Sequence, residues 1–308
     1  MSRYPSLPGR FQMKSKTTKN LHAGLVAGSF LLPSFVGLLC FSIVPLIFSL
    51  FISFTDWNFM KGVGNWNYVG FQNFINLWSD DWFIASLKNT ILFTLVTVPI
   101  GLLLAVVIAV LIDQFCAKKL TGVLRITMYM PKICNIVASA AVWTMLYSSY
   151  GPFTELMRTL GWSDPPRFLA NYNWALPAIM LMSIWQSLGY QVFIYSASLT
   201  SLPKDLYEAA DLDGVNAFQR FFYITLPQLK PTTFFLTITG IISSFKVFGQ
   251  VNVMTQGGPG SSTYTLVYYI YKNAFTYYNM GYASAVAVIL FLMLLLVTLY
   301  QWKHNKEN

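Results

Sequence analysis

Residues 89–112 read NTILFTLVTVPIGLLLAVVIAVLI, a run of 24 positions without a single charged side chain. A helix rises about 1.5 Å per residue and a bilayer's hydrocarbon core is about 30 Å thick, so about 20 apolar residues are enough to cross it. This run is long enough. Five further windows of the same kind lie at residues 23–55, 126–149, 174–200, 232–254 and 282–302, which predicts an all-α integral membrane protein with six transmembrane helices. The first window is longer than a span requires and contains Pro33 and Pro45, so a kink or tilt is expected there.

Composition agrees with lipid as the solvent. Only 10% of the 308 residues are charged while 55% are hydrophobic, too few charges to cover a water-soluble surface of this size. The net charge of +9 would suit nucleic acid if it gathered in one patch, but the basic residues follow the predicted loops instead. Arg3, Arg10, Lys14, Lys16, Lys19, Lys118, Lys119, Arg125, Lys204, Arg220, Lys230, Lys303 and Lys306 fall on one side. The opposite loops hold Lys61, Lys88, Arg158, Arg167 and Lys272, and Lys132 and Lys246 fall within helices. The positive-inside rule then puts both termini in the cytoplasm. The expected organisation is a basic cytoplasmic tail (1–22), a membrane domain (23–302) with a long cytoplasmic loop (201–231), and a short cytoplasmic tail (303–308). The basic start followed by an apolar run resembles a secretory signal, but the run is far longer than a signal's apolar region and is expected to be retained.

Catalysis by this chain is not expected. The two histidines, His22 and His304, lie at the two ends, and no predicted helix interior contains Asp or Glu, so a nucleophile–base pair, an aspartyl dyad or a zinc site has no material. The same absence argues against a proton relay. Cys40, Cys116 and Cys134 have neither metal-ligand spacing nor a disulfide pattern. The Gly257-Gly258-Pro259-Gly260 stretch is glycine-rich, but no lysine follows where a phosphate-binding loop would need one. If transport consumes ATP, another subunit must bind it.

Loops between membrane helices are usually short, yet residues 201–231 are patterned as two short helices. Pro203 suits a first helical turn and Gly214 the residue that closes a helix. Between them Asp205, Glu208 and Asp211 form an acidic stripe, with Leu206, Ala209 and Ala210 as a small apolar face. From Val215 to Thr225 the chain is amphipathic, with Phe218, Phe221, Phe222 and Ile224, and it is expected to end at Leu226-Pro227. The pattern alone leaves two readings open: a hairpin that tucks its aromatics into the headgroups, or a docking element for a cytoplasmic partner.

Glu208-Ala209-Ala210, then Gly214, then Ile224-Thr225-Leu226-Pro227 resembles the EAA loop of permease subunits of bacterial ABC importers, in every element and every spacing. Thr255-Gln256-Gly257-Gly258-Pro259 with Thr263, Tyr271 and Phe275 is similar to the external segment of permeases that import oligosaccharides or glycerol phosphate. So are Pro45, Phe54-Thr55-Asp56-Trp57 and Gly70-Phe71-Gln72-Asn73-Phe74 near the start. The resemblance implies a type I importer permease bundle in the bacterial cell membrane. It also implies several partners: a second, similar permease, two cytoplasmic ATPase subunits that bind ATP and magnesium, and an external sugar-binding protein. No cofactor or metal belongs to this chain itself. In that family the EAA loop forms coupling helices seated in a groove of the ATPase. Carried over, Glu208 is the polar contact, Ala209 and Ala210 allow close approach, and Gly214 is the turn. Asp211 either joins the contact or stays a solvated charge. The extra helices and large external insertion of the larger maltose permease are absent here, which leaves the solute open.

A sugar needs hydrogen-bonding side chains and an aromatic face in a cavity away from lipid. Ser183, Gln186, Ser187 and Tyr190 follow the i, i+3, i+4, i+7 spacing, with Trp185 and Gln191 nearby, and Gly240, Ser243, Ser244 and Val247 repeat it, extended by Gln250. Helix packing competes with the cavity reading for such small and amide residues. Lys246 either contacts a substrate or phosphate or snorkels to the external surface, and Lys132 is expected to snorkel. A neutral, hydroxyl-rich solute is the expectation from composition. A homodimeric secondary transporter or channel is the alternative, and a membrane scaffold without a path is another.

Overall fold

The computed structural model describes residues 28–62, 64–116 and 118–306. These divide into two units, one up to Phe51 and one from Ile52 onward. The expected basic tail (1–22) and the start of the first window lie outside the described residues.

The first unit is almost entirely the helix Gly28–Ile52 (α1). Its ladder shifts to a π register over Leu39–Ile43, just before Pro45 removes a backbone donor, which is where the expected irregularity falls.

The second unit opens with a connecting segment, 53–80, that carries the short helix Gln72–Leu77, and then α2, Asp81–Phe115. This helix starts eight residues before the expected window because Asp80 caps it, accepting hydrogen bonds from Trp82 N and Phe83 N. Asp81 and Asp113 therefore lie inside the helix, but in its first and last turns. The expected third span is not one helix. Lys118–Ile133 (α3) and Ile136–Leu146 (α4) are separate, and the break has a local cause. Pro131 removes a donor near the end of α3, and Asn135 starts α4 by accepting from Val137 N at 2.8 Å. Ala175–Thr200 (α5) matches its window to within a residue.

The long loop folds as Lys204–Leu212 (α6), a turn, and Ala217–Arg220 (α7), which runs on through a π turn at Phe221–Thr225 and through Leu226–Gln228. The second helix starts two residues later than expected because Asn216 and Gln219 form a capping box. It also does not stop at Leu226-Pro227, since Pro227 occupies a first-turn position of the following helical segment. The fifth window is broken as well: Lys230–Phe245 (α8) and Gly249–Met254 (α9) are separated by Lys246, Val247 and Phe248. Leu266–Tyr271 (α10) and Met280–Lys306 (α11) complete the chain, and α11 absorbs residues 303–306, which were expected to be tail.

Among the described residues there are no strands, and four helices are long and apolar enough to cross a membrane: α1, α2, the α8–α9 pair and α11. The centre of the second unit is α2 laid against α5. Gly101, Ala105 and Ala109, four residues apart, are buried on α2, and Val192 and Tyr195 are buried on α5. Small residues at that spacing let helix backbones approach, which replaces the hydrophobic drive that lipid cannot supply. On another face of α5, a Cβ at Gly189 would collide with the backbone of Met128, so α3 is seated there by the missing side chain.

Candidate functional site

Two regions carry the residues singled out from the sequence. The first is a cavity of about 140 Å³ bounded by α2, α5, α8 and α9, with Lys132 at its edge. Ser183, Gln186, Ser187 and Tyr190 come to it from α5, Ser243 and Ser244 from α8, and Val247 and Gln250 from the segment beyond. The 3.6-residue period turns one polar face of α5 toward one polar face of α8. Gln250 Nε2 donates to Ser183 Oγ at 3.3 Å, and the hydroxyls of Ser244 and Thr97 are 3.2 Å apart. The hydroxyls of Tyr190 and Ser243 make no hydrogen bond to a described residue. Thr97 and Gln191 also line the cavity. Thr97 escaped the sequence reading because α2 reads as uniformly apolar around it. Gln191 is buried with its Oε1 unpartnered.

The two lysines that fall within the expected windows lie in different places. Lys246 does not reach the cavity: it lines a separate apolar groove with Ile242, Leu290 and Leu294 on the α11 side. The helical period explains this, because position 246 lies about 110° around the helix from the 240/243/244/247 face. Lys132 is in the cavity, with its Nζ 5.7 Å from the centroid of the Tyr190 ring. It ends there because α3 stops at Ile133, so its side chain leaves the last turn toward α5 and does not run along a continuous span. Lys132 is exposed on the cavity side, so the Tyr190 ring adds only a weak contact to an ammonium that water still reaches, about 0.5–1 kcal/mol for a pair of this kind.

The second region is the loop. Asp213 N–H donates to Ala209 O and Val215 N–H to Ala210 O, both at 3.0 Å, and Gly214 between them has φ +72°. A side chain there would cost about 1–2 kcal/mol. Glu208 and Ala209 are exposed, and Glu208 has no ion pair or hydrogen bond among the described residues. Ala210 faces inward at 4% exposure and packs within its own chain. Asp211 pairs with Arg220 at 2.8 Å, which ties α6 to α7. Tyr207 meets Thr225 through their hydroxyls at 3.1 Å, fixing the base of the hairpin. Of the resemblance's terminal pair, Leu226 is half-buried and Pro227 exposed. Leu212, Phe218 and Tyr223 are 90%, 73% and 79% exposed.

A third cluster was not anticipated. At the other end of α2, Asp80 accepts from Tyr282 Oη at 2.6 Å and from Tyr269 Oη, as well as capping the helix. Partial burial raises its pKa, but the two hydroxyls and the two amides outweigh this and hold the carboxyl below its usual range. Asn89 Nδ2 adds bonds to Ser261 O and Tyr264 O at 2.8 and 2.9 Å. Ser79-Asp80 ahead of an apolar run is a helix-start signal, but its tyrosine partners are 189 and 202 positions away.

Comparison with known proteins agrees with this geometry. Residues 81–305 match the family described as the binding-protein-dependent transport system inner membrane component. The lactose transport system permease protein LacF of Rhizobium radiobacter is 30% identical, over 91% of this chain and 93% of its own. The sn-glycerol-3-phosphate transport system permease protein UgpA of Agrobacterium fabrum is 32% identical, over 79% of this chain and 82% of its own. A bacterial alginate ABC transporter, solved in complex with an alginate pentasaccharide-bound periplasmic protein, shares the fold at a TM-score of 0.80, with 24% identity over 93% of this chain and 96% of that one. The chain belongs to the family of inner membrane components of binding-protein-dependent transport systems.

Proposed function

We propose that this chain is one of two permease subunits of an ATP-driven saccharide importer, contributing half of the translocation path and coupling it to a cytoplasmic ATPase. The observation that carries this reading is covalent. The hairpin 201–229 is the direct link between α5 and α8, the two helices whose polar faces meet at the cavity. A push on the hairpin must therefore move the walls of the path. Glu208, Leu212, Phe218 and Tyr223 form the exposed face of that lever, and Asp211 serves mainly to hold α6 on α7. Gly214 sets the bend, and the segment through Leu226 and Pro227 joins it to α8.

In this reading the chain crosses the membrane six times with both termini in the cytoplasm, and the broken α3–α4 pair and α5 supply the spans beyond the four long apolar helices. ATP and magnesium bind to the partner ATPase, two copies of which close beneath the permease pair. Closure drives the bundle from inward-facing to outward-facing, and an external binding protein then releases sugar into the cavity. Ser183, Gln186, Ser187, Tyr190, Ser243, Ser244 and Gln250 offer the donors, acceptors and ring face that hydroxyl-rich solutes require. The LacF and UgpA relatives transport lactose and glycerol 3-phosphate by name, and the alginate transporter is a polysaccharide system. These support a saccharide or polyol phosphate as the solute class.

Affinity purification from native membranes tests the reading. The chain should bring down an ATPase with a second permease, and Glu208→Lys should lower ATPase recovery at least tenfold while the permease pair remains. Recovery of this chain as a homodimer with no ATPase would refute the proposal in favour of a secondary transporter or channel.

A further inference from the structure

The cavity is lined by hydroxyls, amides, one tyrosine ring and one charge. That charge is Lys132, and among the described lining residues no carboxylate answers it. Lys132 is exposed on the cavity side, and its aromatic partner Tyr190 gives the ammonium only a weak contact, which leaves its charge free to meet a solute. The ammonium makes no ion pair with any described residue. Composition alone had pointed to a neutral solute and to Lys246 as the cation, but Lys246 belongs to a different groove.

Resting on the importer reading above, we infer that Lys132 selects solute by charge and that the transported saccharide is anionic, carrying a carboxylate or a phosphate. Such a group completes what the cavity lacks. The ammonium supplies three donors and a point charge without imposing planar, two-pronged geometry, so it accepts either anion. Around it, Gln186, Ser187 and Gln250 serve the sugar hydroxyls, and the Tyr190 face lies beside both the cation and the ring path. A neutral sugar gains nothing from that charge, while an anionic one forms a charge-assisted hydrogen bond with it on arrival.

The test uses the whole complex, purified with its own permease partner and ATPase and placed in lipid nanodiscs without binding protein. Equilibrium binding of three radiolabelled probes is measured: digalacturonate, glycerol 3-phosphate and neutral digalactose. The wild-type complex should bind at least one anionic probe ten times more tightly than digalactose, and which anion wins separates the carboxylate from the phosphate source. Lys132→Gln should weaken the preferred anion at least tenfold and digalactose less than twofold, Lys132→Arg should restore most of the anion preference, and Lys246→Gln should leave all three values unchanged. Equal affinity for neutral and anionic probes, equal loss of all three in Lys132→Gln, or no binding of either anion to the wild-type complex overturns the inference. A complex that assembles with its ATPase yet gives one of these results overturns the charge selection and leaves the importer assignment standing, whereas a chain that brings down no ATPase fails the importer assignment before any probe is added.

Discussion

The two ends of the bundle are held by opposite means. Around Asp80, three segments are pinned by side-chain hydrogen bonds, the start of α2, α10 and α11, and next to them Asn73 Nδ2 closes the connecting segment on itself by donating to Ser53 O and Thr55 O. At the hairpin the bonds are local, between neighbours such as Asp211 and Arg220 or Asn216 and Gln219, and large apolar side chains face outward. One end is built to stay closed without a partner. The other is folded by itself but leaves its outer face unsatisfied, as a lever waiting for a surface to push on it would be.

This contrast can be broken by substitution. Asp80→Ala should give the largest loss of stability: a helix cap is worth about 1 kcal/mol, and each of the two tyrosine hydroxyls left without an acceptor costs about 1–3 kcal/mol, so about 3–7 kcal/mol in all. Thermal unfolding in detergent should show it as a clear drop in Tm. If Tm is unchanged, the Asp80 cluster is not what holds that end. Next comes Gly214→Val, which forces a β-branched residue into φ +72°. It should cost about 2 kcal/mol locally and cut uptake in cells more than tenfold, because the hairpin can no longer seat. Phe218→Ser should sharpen the comparison from the other side, leaving stability within about 0.5 kcal/mol of wild type while reducing ATP-driven uptake several-fold.

The pH dependence separates the two ends further. Because Asp80's pKa is lowered in the folded state, its stabilisation is present above the unfolded value of about 3.9 and disappears as pH falls through the lower folded value. Stability should be flat from pH 8 to 5 with respect to this group and decline below about pH 4, and Asp80→Asn should lose that acid-side decline. A small effect on stability also belongs to Asp211→Ala. Its ion pair with Arg220 is 61% exposed on the aspartate side, so its loss should cost under 1 kcal/mol, measured by the same unfolding assay.

What the sequence made legible follows physical range. The polar faces of α5 and α8 depend on a period within one helix, so Ser183, Gln186, Ser187 and Tyr190 could be grouped without coordinates, and Ser243, Ser244, Val247 and Gln250 likewise. The turn at Gly214 is local chemistry and was equally readable. Asp80 was not, because its tyrosine partners are brought to it only by the tertiary fold. That Lys132 lines the cavity was hidden for a related reason. Hydropathy cannot see a break between two apolar helices, and Pro131 with Asn135 moves Lys132 from a presumed membrane edge to the cavity. Lys246 is the reverse case: two readings were open for it, and its place off the polar stripe was already contained in the period.

The central claim is that the hairpin is the cytoplasmic contact for an ATPase. The most direct measurement replaces Cys40, Cys116 and Cys134, puts a single cysteine at Phe218, and compares labelling by a membrane-impermeant maleimide in right-side-out and inside-out vesicles, with and without the ATPase. Labelling only in inside-out vesicles, protected at least tenfold when the ATPase is bound, is the predicted result. Labelling from the outside, or no protection by the ATPase, would contradict it.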